Sequence, residues 1–343
     1  MVLRRRLRLL APLLGALVAC VGAQAASAHS RPIGGQVVAW GCGDVTAACD
    51  VPAGLSDVTA IATGAFHSLA LRSDGTVVAW GCVGDEDHGQ CDVPVGLTGV
   101  TAIAAGLHHS LALTRRGTVV AWGCGTGGDN GQCAVPDGLT RVTAIAAGSF
   151  HSLALEAGGT VVAWGCSGQV NGACDVPAGL DDVVAIAAGE IHSVALQRDG
   201  TVVAWGCGPV GNGGNAGQCD VPDGLGRAQG VSASAWDTVA LLRTGTVVAW
   251  GCQGAGRDIG QCRAPVGLDR VTAIAAGVLH TLALRRDGTV IDWGCTNPGT
   301  DVRQCQVPSD LPPLTAISTT YHSLGITQRK GRSPCPPKPL PRR

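Results

Sequence analysis

Short apolar segments alternate with Gly-, Pro- and Asp-rich turns along most of this chain. One stretch runs Val100-Thr-Ala-Ile-Ala-Ala-Gly, His109-Ser-Leu-Ala-Leu, Thr118-Val-Val-Ala-Trp-Gly and Gly131-Gln-Cys-Ala-Val-Pro. Because each piece is a short β-type run bounded by turn residues, each predicts a strand. Asp-Gly pairs at 74–75, 199–200 and 287–288 add hairpin signals. No segment shows the 3.6-residue period of a helix.

The predicted strands are apolar on both faces. Val119 and Ala121 point to one side, and Val120 and Trp122 to the other. An antiparallel sheet with one wet face would alternate apolar and polar positions instead. The pattern therefore predicts a sheet that is covered on both sides, as a blade is between two neighbouring blades.

Three sequence markers each occur seven times, in register. Trp-Gly-Cys begins at Trp40, Trp80, Trp122, Trp164, Trp205, Trp250 and Trp293. His-Ser-Leu-Ala-Leu, or a variant (the His marker), begins at His67, His109, His151, His192, Asp237, His280 and His322. Val-Pro-x-Gly-Leu, or a variant, begins at Val51, Val93, Val135, Val176, Val221, Ala264 and Val307. The chain therefore holds seven repeats.

The repeats begin and end in mid-unit. The first, from Gln36, has Val-Val-Ala-Trp without a preceding His marker, and residues 314–327 have a His marker without a following Trp-Gly. The two halves make one unit, as expected for a ring whose first and last strands share a blade. We therefore predict an all-β, seven-bladed β-propeller over residues 36–327, forming one domain.

These repeats resemble the regulator of chromosome condensation repeat family. The likeness rests on Ala-Gly-x-x-His-Ser-x-Ala-Leu, Asp-Gly-x-Val-x-x-Trp-Gly and Gly-Gln, recurring in order across 36–327. It implies the propeller fold and a binding function. The repeat wording is most similar to secreted bacterial propellers of this kind that inhibit β-lactamases. That similarity implies export and a loop face that grips a target protein.

Fourteen of the sixteen cysteines form one pair per repeat. The pairs are Cys42 and Cys49, Cys82 and Cys91, Cys124 and Cys133, Cys166 and Cys174, Cys207 and Cys219, Cys252 and Cys262, and Cys295 and Cys305. Structural zinc wants four ligands from closely spaced cysteine knuckles, which these longer, variable spacings do not supply. We therefore predict disulfides, each closing a hairpin mouth where the second cysteine begins the next strand. The pairing departs from the family pattern.

The chain ends carry separate predictions. Residues 1–28 hold four Arg and an apolar run of eleven residues, too short to span a membrane. They predict an export signal, cleaved either near Ala25 or Ala28 or at a lipobox that leaves Cys20 lipidated; an uncleaved anchor is the third alternative. Residues 29–35 form a linker. Residues 328–343 form a basic, Pro-rich tail, either disordered or an electrostatic tether, in which Cys335 has no partner: the protein is a monomer, or a dimer through Cys335.

The net charge of the repeat region limits the classes of partner that it can bind. Residues 29–328 hold 14 basic and 25 acidic residues, a net charge of −11. Such a body argues against nucleic acid as a partner. Cysteine usage and the leader predict an exported protein, extracellular or associated with the cell envelope. A membrane would be contacted only through a lipid on Cys20.

One candidate binding surface follows from the aromatic residues. Those outside the Trp-Gly motif all precede the His marker, in the turn between the first two strands. The seven residues at that position (the rim) are Phe66, His108, Phe150, Ile191, Trp236, Leu279 and Tyr321. Aromatic anchors are typical of protein interfaces. The alternative is that the rim side chains pack between blades around the channel mouth.

The sequence predicts no catalytic residue, no cofactor and no metal site. One His per blade is a repeat constant, which favours the same local hydrogen bond in every blade over catalysis, and Asp237 can replace it in that role. Residues 84–88 and 127–130 could bind calcium or form ordinary Gly/Asp turns. We therefore predict a non-enzymatic propeller that binds a secreted or cell-surface protein, with inhibition of a secreted enzyme such as a β-lactamase as its narrower form. A cell-envelope or glycan-binding scaffold is the alternative, and a propeller enzyme a third.

Overall fold

The computed structural model describes residues 34–43, 46–125, 129–167, 172–208, 215–253, 258–295 and 304–328. Within them, twenty-one strands form seven three-stranded antiparallel sheets, the blades. Blade 1 consists of β2 Val58–Thr63, β3 Ser68–Arg72 and β4 Val77–Trp80. Blade 2 consists of β5 Val100–Ala105, β6 Ser110–Thr114 and β7 Val119–Trp122. Blade 3 consists of β8 Val142–Ala147, β9 Ser152–Glu156 and β10 Val161–Trp164. Blade 4 consists of β11 Val183–Ala188, β12 Ser193–Gln197 and β13 Val202–Trp205. Blade 5 consists of β14 Ala228–Ala233, β15 Asp237–Leu242 and β16 Val247–Gly251. Blade 6 consists of β17 Val271–Ala276, β18 His280–Arg285 and β19 Val290–Gly294. Blade 7 combines β20 Leu314–Thr319 and β21 Ser323–Thr327 with β1 Val37–Trp40.

The predicted hairpins join the second and third strands of the blades. In blade 1, Gly75 has φ 85°, a conformation that glycine adopts without strain. The Asp74 carboxylate accepts a hydrogen bond from the Thr76 amide at 2.9 Å, and those of Asp199 and Asp287 repeat the contact in blades 4 and 6. These turns lie at the end of each blade where the first strand of the next begins, because Val100 N donates to the Gly75 carbonyl.

The Gly-Gln-Cys segment is not a strand, contrary to the sequence prediction. It forms turns in the connector between two blades, and its glutamine does not pair with a neighbouring strand. Gln90 is fully buried, and its main-chain carbonyl accepts hydrogen bonds from Ser110 Oγ at 2.9 Å and Trp122 Nε1 at 3.0 Å of blade 2. Side chains of blade 2 thus satisfy this connector carbonyl, so the connector does not need to pair as a fourth strand of the sheet.

The apolar core lies between blades, as the two-faced strands predict. Val119 and Ala121 pack in the cluster between blades 2 and 3, whereas Val120 and Trp122 pack in the cluster between blades 1 and 2. Five further clusters fill the remaining blade boundaries among the described residues. Each blade therefore contributes one apolar face to each neighbour.

The ring closes through the blade that the two chain ends share. β1 pairs with β21 from Val37–Ile326 to Trp40–Ser323, so a strand from the start of the chain completes the last sheet. Val37, Leu324 and Ile326 of blade 7 pack against Val58 and Trp80 of blade 1. The predicted closure is confirmed.

All seven predicted cysteine pairs lie at disulfide distance, with Cα–Cα separations of 5.9–6.3 Å. The pairing is confirmed, and the structure joins Cys42 to Cys49, Cys82 to Cys91, Cys124 to Cys133, Cys166 to Cys174, Cys207 to Cys219, Cys252 to Cys262, and Cys295 to Cys305.

The prediction that the second cysteine of each pair begins a strand is wrong. The second cysteines lie in turns of the connectors or, in the first pair, in a 3-10 turn: Cys49, Cys91, Cys133, Cys174, Cys219, Cys262 and Cys305. The reason is that side chains of the next blade hold the connector by hydrogen bonds, so it does not pair as a strand. Cys82 follows the last strand of blade 1, whereas Cys91 adjoins Gln90, which is bonded to blade 2. Each disulfide of this kind therefore ties one blade to the segment that supports the next.

Several predictions fall on residues that the structure does not describe. The export signal of residues 1–28, Cys20, most of the linker, and the tail beyond residue 328 with Cys335 lie outside the described residues, as does the start of the calcium candidate at 127–130. Among those described, no helix is long and apolar enough to cross a membrane. The two helices found there are single 3-10 turns, Thr46–Cys49 and Gly84–Glu86.

Candidate functional site

The recurring His of each repeat lies at the start of the second strand and reaches into the next blade. Nε2 of His67 lies 2.9 Å from Ser110 Oγ, and Nε2 of His109 lies 3.0 Å from Ser152 Oγ. His151, His192 and His280 repeat the contact, and Nε2 of His322 reaches Ser68 Oγ of blade 1 at 2.7 Å. The predicted structural role holds for these six, but the bond links blades and is not local.

These contacts define the protonation state of the imidazoles. The Ser110 hydroxyl donates its hydrogen to the Gln90 carbonyl, so it can only accept from His67. His67 therefore carries its proton on Nε2, and its Nδ1 is buried without a hydrogen-bond partner. A second proton on Nδ1 would be a buried donor with no acceptor.

Burial consequently lowers the pKa of each of these histidines from 6.5. The pKa falls to about 3 for His67, His109, His192 and His280, and to about 4 for His151 and His322. Neighbouring histidines lower it further in several blades, as His109 does for His67. At neutral pH these imidazoles are uncharged structural groups.

The Gly of Gly-x-x-His is needed because the imidazole packs directly on it. A Cβ on Gly64 would overlap the His67 ring and lie 2.6 Å from the Gly106 carbonyl oxygen. Gly106 has the same relation to His109. A side chain at this position of a Gly-x-x-His turn would therefore displace the imidazole. Blade 7 departs from the pattern, because its turn is one residue shorter and the Thr320 amide donates to the His322 carbonyl.

Blade 5 shows that compensation. Asp237 replaces the His, and Ser234 replaces the Gly three residues earlier, with Ser234 Oγ donating to Asp237 Oδ1. Asp237 is fully buried, which raises the pKa of its carboxyl to about 7, and the hydrogen bond from Ser234 opposes that rise. The predicted replacement of His by Asp as an equivalent hydrogen-bonding residue is thus only half right, because the bond stays within blade 5.

The rim lies in the turns between first and second strands, as predicted, on the face that also carries the Cys-closed loops (the loop face). Phe66 of blade 1 stacks on His108 of blade 2, with ring centroids 5.8 Å apart, and on Tyr321 of blade 7 at 6.3 Å. Both pairs have an interplanar angle of 13°. Three rim residues therefore form one half-buried aromatic stack across three blades.

The other rim residues do not join that stack. Phe150 packs with Ile191, Ala173 and Cys166, and Ile191 is buried. The main-chain carbonyls of Trp236 and Leu279 accept hydrogen bonds from the amides of Cys252 and Cys295, and both side chains are half-buried. The rim thus combines a stacked side with a side where blade packing holds the residues.

A cavity of about 180 Å³ opens inside the rim, on the propeller axis. Its wall is made mainly of the Ala and Gly residues that end the first strands, together with Leu107, Ser149, Val278 and Tyr321. Glu190 is the one charged residue in the lining among the described residues. Small residues at the strand ends leave room for this cavity.

Sequence reasoning missed Glu190. It occupies the first x of Gly-x-x-His, where other repeats have residues such as Ala65, Leu107 and Ser149, and that single charge was the available signal. Burial raises the pKa of the Glu190 carboxyl, and burial followed by the Glu190 charge raises the pKa of the Tyr321 hydroxyl. The cavity thus joins an acidic group to the aromatic stack.

Part of the repeat region matches a known family model. The model for the regulator of chromosome condensation (RCC1) repeat matches residues 58–90, 100–132, 142–169 and 183–212, the first four blades and their connectors. Four of the seven repeats therefore match the RCC1 repeat. No curated protein matches the chain.

Three solved structures are similar to this fold, two of them of yeast RCC1 (Prp20). Yeast RCC1 (Prp20) in complex with Kap60 is 18% identical, with 96% of this chain and 97% of that chain covered at a TM-score of 0.66. Prp20p of Saccharomyces cerevisiae, described with its binding to Gsp1p and histones, is 19% identical over 87% and 93% of the chains at 0.65. The receptor kinase CR4 ectodomain of Physcomitrella patens is 23% identical over 74% and 66% at 0.57. At these identities the likeness to solved structures establishes the propeller fold.

Proposed function

We propose that this protein is an exported propeller that binds another protein through its loop face. The observation that carries the proposal is the aromatic stack of Tyr321, Phe66 and His108 beside the cavity. Partly exposed aromatic side chains around a concave centre are typical of the anchor residues of protein interfaces. The other rim residues extend the contact around the ring.

The scaffold beneath the loop face supports this role. Inter-blade hydrogen bonds such as His67–Ser110 and connector disulfides such as Cys82–Cys91 hold the turns in place without a partner. A surface that is already ordered loses little conformational entropy on association. The same histidines are buried and committed to these bonds, which favours binding over catalysis.

The neighbours support a protein as the partner. The yeast structures are described with Kap60, Gsp1p and histones, all of them proteins. The seven disulfides of this chain, and the export signal that its sequence predicts, favour an oxidising compartment and a secreted or cell-surface partner. Inhibition of a secreted enzyme such as a β-lactamase is the narrower form of this proposal.

Charge indicates the chemistry of the partner surface. Asp85, Glu86 and Asp87 lie in one Cys-closed loop of the loop face, and Glu190 lies in the cavity. A partner that inserts a Lys or Arg side chain beside Glu190 would place its aliphatic stem among small apolar residues and its charge at the carboxylate. The partner is therefore expected to present a basic surface.

Substitution on the two faces tests the proposal. A partner captured from exported and envelope fractions is purified, and its affinity is measured for the wild type and for Phe66→Ala, Trp236→Ala and Glu190→Gln. We expect each change to weaken binding by about tenfold or more, because anchor residues carry most interface energy. Val95→Ala is the matched control, since Val95 is exposed in the turn leading to β5, on the opposite face.

Thermal unfolding separates binding from packing in the same variants. A binding role leaves the melting temperature of Trp236→Ala close to wild type while affinity falls. Retained affinity in all loop-face variants, or a partner that responds only to Val95→Ala, would overturn the proposal. Titration against purified class A β-lactamases, with substrate turnover as the readout, tests the narrower form.

A further inference from the structure

Three side chains with metal-binding atoms meet at the edge of the loop face. The ligand atoms of Glu86, His88 and His108 all lie within 4.8 Å of one another. Glu86 Oε2 is 3.1 Å from His108 Nε2, and the two imidazole centroids are 4.4 Å apart. Among the described residues this is the single such group of three.

The group is assembled from two blades, so it could not be read from the sequence. Glu86 ends the 3-10 turn Gly84–Glu86 and His88 follows it, both inside the loop closed by Cys82 and Cys91. His108 belongs to the rim, 22 residues beyond Glu86, in blade 2. The sequence had suggested only calcium or a turn for residues 84–88.

Hydrogen bonds fix the main chain at Glu86 and His88, and a ring contact orients the His108 side chain. Buried Gln90 donates from Nε2 to the Glu86 carbonyl at 2.6 Å and accepts the His88 amide at Oε1 at 2.7 Å. The His88 carbonyl accepts the Gly125 amide at 2.9 Å, and His108 stacks on Phe66. Ligands that are oriented by such supporting contacts bind metal more tightly than mobile ones.

The ligand chemistry selects the ion. Two imidazoles and one carboxylate suit zinc, whereas calcium and magnesium require mostly oxygen ligands. In a tetrahedral site with bonds of about 2.0–2.1 Å, ligand atoms lie about 3.3 Å apart, close to the Glu86–His108 distance. The Glu86 side chain is 49% exposed and that of His108 16%, so the group is open to solvent on one side.

We propose that Glu86, His88 and His108 form a three-ligand Zn²⁺ site on the loop face. A water molecule completes the tetrahedron, as in other zinc sites with three protein ligands. All three protein ligands come from this chain, so Zn²⁺ binding can be measured without a partner, although His108 also belongs to the aromatic stack on which the proposed function rests. The carboxylate balances one of the two charges of the ion, and the imidazoles bind in their neutral form.

Calorimetric titration of the chelator-treated, oxidised full-length protein with ZnCl₂ tests the site. We expect one Zn²⁺ per chain, with Glu86→Gln and His88→Gln each weakening binding by at least about tenfold, as loss of a ligand should exceed loss of a supporting contact. Asp85→Asn is the matched control, because it removes a neighbouring charge but no ligand, and its affinity should equal that of the wild type. Melting temperatures in chelator, equal for all four proteins, show that the variants fold.

Cobalt distinguishes this site from binding at a free cysteine. Co²⁺ bound by two imidazoles and a carboxylate gives weak visible bands, whereas a thiolate ligand adds an intense near-ultraviolet band. Weak visible bands that disappear in His88→Gln support the proposal. Absence of saturable Zn²⁺ binding, equal affinity in Glu86→Gln, His88→Gln and the wild type, or a thiolate band would each overturn it.

Discussion

At the scale of single residues, the blades are linked by a hydrogen-bond relay. In each of six blades an imidazole donates to a hydroxyl of the next blade, and where that hydroxyl is Ser110 it donates in turn to a connector carbonyl. The relay explains why Gly, His and Ser recur at fixed offsets. It also explains why the two departures in blade 5, Ser234 and Asp237, occur together.

The pair at 234 and 237 provides a double-mutant test. The double variant Ser234→Gly/Asp237→His restores the common residues, and its imidazole can reach Thr281 of blade 6. We expect it to be more stable than the wild type by about 1–3 kcal/mol at pH 8, because it gains an inter-blade bond and loses a buried carboxylate. Asp237→His alone should be destabilised by about 1–3 kcal/mol, because Ser234 Cβ then overlaps the ring.

Urea unfolding of the wild type, Ser234→Gly, Asp237→His and the double variant measures this coupling, and pH supplies a second readout. Burial raises the pKa of the Asp237 carboxyl to about 7 in the folded protein, above its ordinary value of 3.8. Its contribution to stability is therefore complete below pH 3.8 and is lost as the pH rises through 7. The advantage of the double variant should grow over that interval; additive effects of the two changes would contradict the structural pairing.

At the scale of the blade, three strands and a connector form the working unit. The connector replaces a fourth strand, and Gln132 shows how: it is fully buried, and its carbonyl accepts Ser152 Oγ at 3.1 Å and Trp164 Nε1 at 2.8 Å. The Gly after Trp is required there, because Gly165 has φ 93° and its Cβ would lie 2.5 Å from the Gln132 Cα. The disulfide Cys124–Cys133 then anchors this connector to the preceding blade.

Removal of one disulfide should cost a moderate amount of stability. For Cys124→Ser/Cys133→Ser we expect a loss of about 2.5–3 kcal/mol in the free energy of unfolding, the chain-entropy value for a loop of this length. The connector keeps its hydrogen bonds to blade 3, so the fold should persist. Cys335→Ser is the control and should leave urea stability unchanged. Loss of the β-sheet circular dichroism signal in the double variant would show that the disulfide, and not the connector, holds the blade.

At the scale of the whole molecule, the structure is a closed ring with an apolar cluster at each blade boundary and a histidine bond at six of the seven boundaries among the described residues. The last boundary is made by chain ends far apart in sequence: His322 Nε2 reaches Ser68 Oγ at 2.7 Å, and Ser318 Oγ accepts the Thr63 amide at 3.1 Å. A closed ring has no terminal repeat from which to unfold, unlike an open array of repeats. Conditions that weaken every interface at once should therefore open it cooperatively.

Acid is such a condition. Burial lowers the pKa of the six imidazoles to about 3 to 4 in the folded protein, below their ordinary value of 6.5. Their stabilising contribution is therefore present above pH 6.5 and is lost as the pH falls from there to about 3. Each contributes a slope of up to about 1.4 kcal/mol per pH unit. The melting temperature should therefore fall steeply below pH 6.5.

The proton count checks the assignment. The pH dependence of unfolding near pH 5 should correspond to the uptake of close to six protons by histidines, and His151→Gln should reduce that uptake by about one. A melting temperature that is flat between pH 7 and 5 would show that the histidines are not buried in neutral form.

The repeat sequence alone determined most of the fold. Three markers in register established seven units, the two-faced apolar runs placed the core between blades, and the split first and last units predicted closure through β1 and β21. The cysteine pairs and the position of the rim followed from the same register. These features recur in every repeat, so the sequence shows each of them several times, and the local sequence pattern is enough to predict them.

Only the tertiary structure decided what lies between units. The partner of His67 is a hydroxyl 43 residues away, the stack of Tyr321 on Phe66 joins opposite ends of the chain, and His108 meets Glu86 and His88 across a blade boundary. The Gly-Gln segment, predicted as a strand, is a turn for the same reason, because side chains of the next blade satisfy its carbonyl. Register within a repeat is a local property, whereas these contacts depend on how far each blade is rotated about the axis relative to its neighbour.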